Sequence, residues 1–314
     1  MTTLELTAVS RSQGCNRALK DGLISPQTCS LRFIEVDPLI AAFRRQVRGN
    51  AFDVCEMAIT TYICAKAHGK PMTAIPAFIV RAFHHGAILV NTKAGISTPK
   101  DLEGTRVGVN RGYTVTTGVW ARGILAEEHG VDLSRITWVL SGDEHVAEYK
   151  APDNVVPIEP GKKMEDLLTS GELAAAIGVT VEHPDVSPLI PHAAEAGLAA
   201  LKTRGHHPIN HLVVIKDELI AKHPGLATDI FEAFAESKRH YVADLKANRI
   251  EKPTTVDKTN RQVMDITGEP LPFGIEPNRK VIATLLDHAR SQGIITGPVS
   301  VDDLFADETR KLAG

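Results

Sequence analysis

The sequence predicts a two-lobed α/β protein built on open mixed sheets, with a ligand cleft between the lobes. Three observations carry this reading. Strand-like and helix-like segments alternate through the first half, which implies parallel pairing with right-handed crossovers. The length of 314 residues suits two domains of ordinary size. A strand pattern also resumes at His211 after a self-contained α/β stretch, so the chain is expected to leave its first lobe and return. Residues 1–88 and 207–314 are assigned to lobe I, and 89–206 to lobe II.

Residues 4–9 alternate as a strand, and 16–21 open a short helix that stops near Gly22. A second strand covers 31–36. Pro38 then starts an amphipathic helix through Ile40, Phe43, Arg44 and Val47, closing at Gly49. Residues 51–57 form a third strand and 60–68 a helix ended by Gly69, while 73–83 and 87–90 are apolar, β-branched runs. The second unit opens with a capped turn at 98–104, a strand at 106–110 and the turn Arg111-Gly112-Tyr113-Thr114. A long helix over 116–129 ends at Gly130, followed by a strand at 136–140, a helix at 164–170 and a buried strand at 174–179. After the strand at 211–215 the chain is helical over 217–222, 226–246 and 278–292. The Pro-rich stretches 151–160 and 269–277 read as loops.

Composition narrows the function. Hydrophobic residues make up 43% and charged residues 23%, as in a globular protein. A net charge of −3 and only 5% aromatic residues argue against a nucleic-acid partner. No stretch approaches the roughly 18 apolar residues that a membrane span needs, so no membrane partner is expected. The segment from Met1 to Ser10 has neither a basic n-region nor an apolar core, unlike a secretory signal. Cys15, Cys29, Cys55 and Cys64 show no metal-type spacing, and reduced thiols in the cytoplasm are expected. The expected assembly is a homo-oligomer.

Several motifs carry a resemblance. Phe52-Asp53-Val54-Cys55-Glu56-Met57 and Asp101-Leu102-Glu103-Gly104-Thr105-Arg106-Val107-Gly108-Val109 are similar to a core strand and the second-lobe entry of solute-binding proteins. More specific are Arg81-Ala82-Phe83-His84-His85, Val119-Trp120-Ala121-Arg122-Gly123-Ile124-Leu125 and His207-Pro208-Ile209-Asn210-His211. Pro272-Phe273-Gly274-Ile275-Glu276-Pro277-Asn278-Arg279 belongs with them. Over nearly the whole chain, these resemble the 4,5-dihydroxyphthalate decarboxylase family, on the type II periplasmic-binding-protein-like fold. One loop departs: Arg11-Ser12-Gln13-Gly14-Cys15-Asn16-Arg17 stands where the family tends to carry a Tyr-Asp-Arg-type sequence.

The resemblance implies an intracellular carboxy-lyase whose small-molecule partner is a hydroxylated aromatic carboxylate. The alternative is a non-catalytic solute-binding protein for an aromatic or other organic anion. A third reading, a thiamine-pyrimidine biosynthesis enzyme on the same scaffold, lacks its Cys-rich iron motif here. Aromatic decarboxylation needs an electron sink. A phenol ortho or para to the carboxylate supplies one once it is deprotonated, so no cofactor and no metal are assigned. The protein must supply a base at the phenol, an acid near the ipso carbon and cations for the carboxylates.

Such groups belong at strand C-termini and helix N-termini. Arg81 is assigned to a substrate carboxylate. If 81–85 is extended, Arg81, Phe83 and His85 share one face, which favours His85 over His84 as the acid–base group. A structural His pair is the plainer reading of the same residues. Arg111, Tyr113, Thr114 and Thr116 form a possible carboxylate seat, or an ordinary N-cap. His211 and Asn210 are candidate phenol partners, with His211 catalytic. Pro208 keeps His207 and His211 off one helical face, against a metal site, and His206 and His207 read as solvated. Glu56 and Thr60 are expected to line the cleft, unless Glu56 is a helix-capping acid. Asp143-Glu144-His145 reads as a solvated loop, Trp120 as core, Arg122 as an ion-pair partner and Cys15 as unreactive.

Overall fold

The computed structural model describes residues 4–314. The first residues of the N-terminal segment read above, 1–3, lie outside the described residues. The strands are β1 (Leu4–Val9), β2 (Cys29–Phe33), β3 (Val54–Ala58), β4 (Met72–Arg81), β5 (Ile88–Asn91) and β6 (Arg106–Val109). They continue as β7 (Thr137–Leu140), β8 (Val155–Pro157), β9 (Ala175–Ile177), β10 (Val186–Pro188) and β11 (Ile209–Lys216). The helices are α1 (Arg17–Lys20), α2 (Leu39–Gly49), α3 (Ile59–Ala67), α4 (Thr116–His129) and α5 (Met164–Ser170). Then come α6 (Ala193–Arg204), α7 (Asp217–Lys222), α8 (Leu226–Lys246), α9 (Thr255–Thr267) and α10 (Arg279–Ser291).

The chain divides into two compact units. Unit 1 comprises Met1–Arg81, Ile209–Ala283 and Pro298–Gly314, and unit 2 comprises Ala82–Pro208 and Thr284–Gly297. Most of α10 therefore packs with unit 2, where Gln292 and His288 meet Arg122 and Trp120 of α4.

Unit 1 holds a five-stranded sheet in the order β2-β1-β3-β11-β4. β1 pairs in parallel with both β2 and β3, whereas β11 runs antiparallel to β3 and β4. The order reverses between β1 and β3, and such a switch point opens a crevice beyond the strands' carboxyl ends. β3 is buried along its whole length, which explains its unbroken run of small and apolar residues around one acid. Pro76 lies in β4, an end strand of the sheet, where proline is tolerated.

Unit 2 holds a six-stranded sheet in the order β10-β5-β9-β6-β7-β8. β6, β7, β8 and β9 run parallel and β5 and β10 antiparallel to their neighbours. Its switch point lies at β6, whose carboxyl end leads through the turn at 110–115 into α4. Val139, Met164, Leu167, Leu168, Leu173 and Ala176 form a buried core between α5 and this sheet.

Four elements escape the sequence reading. β8 lies inside the predicted 151–160 loop, and β8 and β10 each carry a proline because they are the outermost strands. α6 is rich in alanine and has no strong apolar stripe, so only Gly205, in left-handed conformation at its end, marks it. α9 begins with a capping box at Thr254 and Asp257. Among the described residues, no helix is long and apolar enough to cross a membrane.

Candidate active site

In unit 1, β3 and β11 face each other with Glu56 opposite Val213 and Ala58 opposite His211. Opposed residues in an antiparallel pair share a face, so Glu56 and His211 are diagonal neighbours on one side of the sheet. His211 Nδ1 lies 2.6 Å from Glu56 Oε1. The other carboxylate oxygen accepts from Ser10 Oγ at 2.8 Å and from the Arg11 amide at 2.9 Å. Ser10 Oγ in turn accepts from Asn16 Nδ2 at 2.8 Å. Ser10 and Arg11 follow β1 directly, so the network occupies the switch point between β1 and β3.

Burial alone would push the Glu56 carboxyl up. The hydrogen bonds from His211, Ser10 and Arg11 outweigh it and hold the group below its ordinary value. Glu56 is 1% exposed, so it serves His211 instead of lining a cleft. The His211 side chain keeps 18% of its surface, and the edge of its ring meets Phe43 at 5.2 Å between centroids. With Nδ1 committed to a carboxylate, Nε2 is the nitrogen left to take a proton. Such a pair orients an imidazole and stabilises it when protonated. Pairing of β11 with β4 shifts register between Ile209 and His211. The irregularity falls at Asn210, as a bulge that aims a functional side chain would.

Arg81 ends β4 and is buried. Its Nη2 donates to the Pro272 carbonyl at 3.1 Å and to Asn278 Oδ1. Asn278 Nδ2 closes the same loop onto the Pro272 and Gly274 carbonyls. Burial pulls the guanidinium down to about 9, against the attraction of Glu269. Arg81 thus ties the 272–278 loop to the sheet, while still forming part of the wall of a cavity of about 60 Å³.

In unit 2 the turn after β6 is an anion seat, and it holds a carboxylate of the protein itself. Glu144 accepts from the Tyr113 amide, from the Thr114 amide at 3.2 Å and from Thr114 Oγ1 at 2.6 Å. A Cβ on Gly112 would stand 2.7 Å from Glu144 Oε2, so glycine gives the carboxylate room. Arg111, at φ +74°, is exposed, and its amide donates to Ser141 Oγ at 2.7 Å. Tyr113, Thr114 and Thr116 are buried. Below the turn, Arg122 lies 3.8 Å from the Tyr113 ring and donates to the Tyr113 carbonyl at 2.6 Å and to Gln292 at 2.9 Å.

His85 also belongs to unit 2. Residues 85–87 form a 3₁₀ turn, not an extended strand, because β4 stops at Arg81. His85 is 3% exposed, with Nε2 3.1 Å from Glu128 Oε1. Arg204 pairs with the same carboxylate. Glu128 is raised by burial but lowered further by His85 and Arg204, to about 2.

The comparisons with known proteins agree with this architecture. The ligand-binding component of an ABC-type import system from Staphylococcus aureus superposes with a TM-score of 0.55 at 12% identity, covering 100% of this chain and 99% of that one. The periplasmic aliphatic sulphonate binding protein SsuA from Escherichia coli gives 0.53 at 13% identity, over 97% and 92%. They show the fold. A 4,5-dihydroxyphthalate decarboxylase from Comamonas testosteroni is 29% identical over 323 residues, 97% of each chain. Another from Pseudomonas putida is 36% identical over 186 residues, 54% of this chain and 71% of that one. The NMT1/THI5-like family model matches residues 45–244.

This chain belongs to the NMT1/THI5-like family, among the 4,5-dihydroxyphthalate decarboxylases.

Within that family frame, the structure sorts the sequence-predicted residues. It joins Glu56 to His211 and sets Asn210 beside them at the bulge. Thr60, the second residue of α3, is fully buried and lines no surface. Arg81 falls in unit 1 and His85 in unit 2, so the shared extended face expected of them does not exist. His207 is buried against Phe83 at 5.1 Å, contrary to a solvated reading, because the Ala82 amide bonds the Pro208 carbonyl and brings the segments together. Arg122 bonds an amide, a carbonyl and two rings in place of the expected ion pair. Cys15 is buried and pushed up to about 12, as an unreactive thiol should be.

Sequence reasoning missed Ser10, Asn16, Glu128 and Glu144 as partners. Glu144 was findable. β6 and β7 pair in parallel with Val109 opposite Leu140, so an acid just past β7 meets the turn just past β6.

Proposed function

We propose that this protein decarboxylates a hydroxylated aromatic carboxylate of the 4,5-dihydroxyphthalate kind, with His211 as the base at the phenol. The supporting observation is the buried Glu56 carboxylate 2.6 Å from His211 Nδ1 at the carboxyl ends of β1 and β3. His211 Nε2 takes the phenolic proton, and Glu56 balances the imidazolium that forms. The phenolate then drives charge into the ring, the ipso carbon takes a proton, and the carbon–carboxylate bond breaks to release carbon dioxide. The electron pair of that bond stays with the ring carbon, so no external redox partner enters.

We assign His85 a structural part in this scheme, since Glu128 and Arg204 tie the buried imidazole to the surface in one strut. The competing reading, a binding protein for an organic anion, draws support from the sulphonate-binding fold neighbour. Incubating the purified protein with hydroxylated benzoates and phthalates, and following substrate loss with carbon dioxide release, separates the two. Turnover that disappears in His211→Ala supports the lyase. Tight binding without turnover across the panel supports the binding protein.

A further inference from the structure

The loop at 11–17 borders a cavity of about 530 Å³ within unit 1. That volume is in the range of small-molecule sites. The cavity is lined by Arg11, Arg17, Lys252 and His240, with the Tyr241 ring and Val256 among its other walls. Gly14 lets the loop lie on that ring, since a Cβ there would come within 2.3 Å of Tyr241 Cε2.

The cations and acids of this cavity are not matched one to one. Asp257 accepts from the Tyr241 hydroxyl at 2.7 Å and from Thr254, and Asp244 pairs with Arg249. Asp257 and Asp244 are therefore engaged, and the third acid of the lining, Asp21, is exposed. Arg17 acts on Asp257 only at longer range. Among the described residues, the Arg11 guanidinium has no hydrogen bond or ion pair. Its backbone, however, is fixed: the Arg11 amide donates to Glu56 Oε2 at 2.9 Å while His211 holds Oε1 at 2.6 Å. One carboxylate therefore sets both the imidazole and the root of a free arginine.

We infer that this cavity is a carboxylate subsite in which Arg11, backed by Arg17, binds the second carboxylate of an aromatic dicarboxylate. The inference rests on the proposed reaction, and its link to the imidazole is Arg11 itself, whose amide binds the Glu56 carboxylate that holds His211 and which also lines the cavity. Guanidinium suits the role, since its planar fork matches a carboxylate. Arg81, already bonded to Asn278 and Pro272, is the anchor of the neighbouring loop instead.

The test uses phthalate, which has two carboxylates and no hydroxyl to drive turnover, against benzoate, which has one. Calorimetric titration of the full chain should show phthalate binding about tenfold or more tightly than benzoate, the scale of one charged hydrogen-bonded contact. In R11Q, and fully in R11Q/R17Q, that preference should collapse to within about twofold with the fold intact by circular dichroism. A preference that survives in the double variant, or that is absent from the unaltered protein, overturns the subsite. The proposed reaction is read separately. If dihydroxyphthalate is not turned over but the phthalate preference appears and is lost as described, the subsite stands and the reaction falls. If turnover occurs and the double variant keeps its KM, the reaction stands and the subsite falls.

Discussion

His211 and Glu56 sit diagonally across the antiparallel pair β3 and β11, with Nδ1 and Oε1 2.6 Å apart and the carboxylate shut away from water. In the proposed reaction Glu56 is a positioning residue and His211 carries the proton. Glu56→Gln should lower kcat by about 10²–10⁴-fold with KM little changed, because the amide cannot stabilise the imidazolium. His211→Ala should fall in the same range. Steady-state kinetics on the best aromatic acid of the panel provide the measurement, and an unimpaired Glu56→Gln enzyme would falsify the pairing.

His85→Ala should behave differently. Removing the imidazole takes one partner from a carboxylate that water still reaches, costing about 1 kcal/mol of stability, while kcat stays within a fewfold of the original. Urea unfolding and kinetics together decide it. A rate loss comparable to that of His211→Ala would return the acid–base role to His85.

The Glu128 strut also fixes an acid limb. Its carboxyl lies near 2 in the folded state against an ordinary 4.5. A carboxyl lowered by folding contributes stability that is fully present above its unfolded value and is lost as pH falls through the folded one. Unfolding free energy should therefore decline from about pH 5 towards pH 2. In Glu128→Gln the protein should be less stable at neutrality and lose less over that interval. Parallel acid limbs in the two proteins would contradict the assignment.

Glu144 holds the turn that leads into α4, accepting from the amides of Tyr113 and Thr114 and from the Thr114 hydroxyl. Glu144→Ala should cost about 1–2 kcal/mol, the worth of charged hydrogen bonds that leave turn amides without a partner. Equilibrium urea melts measure it directly. A change below about 0.3 kcal/mol would mean that water replaces the carboxylate at no cost.

The fold was legible because it is written in periodicity. Strict alternation along 4–9, the apolar runs in β3 and β4 and the glycine stops after α3 and α4 each act within a few residues. The site was legible in part. Residue chemistry pointed to His211 and Glu56 separately, but their pairing depends on which strand lies beside β3, and that strand arrives more than 150 residues later. The backbone at His85 escapes the sequence for a local reason: the strand pairing ends at Arg81 and the chain tightens into a 3₁₀ turn in place of the expected extended segment. Glu144 reads as part of a solvated loop and Glu128 stands out in no motif, because the turns that claim them are distant in sequence.

The strand register has a further consequence for how this site tolerates change. Side chains on β11 alternate, and only the frame that sets His211 opposite Ala58 turns the imidazole toward Glu56. Inserting or deleting one residue between Asn210 and Val213 would present Leu212 or Asn210 to the acid and send the imidazole through to the far side. Point substitutions in the 11–17 loop leave that frame untouched. Libraries aimed at new aromatic acids should therefore vary the side chains of that loop other than Asn16, which bonds Ser10, and hold both the loop and β11 at constant length. Transplanting the acid–base pair into another scaffold would require moving both strands as one cassette.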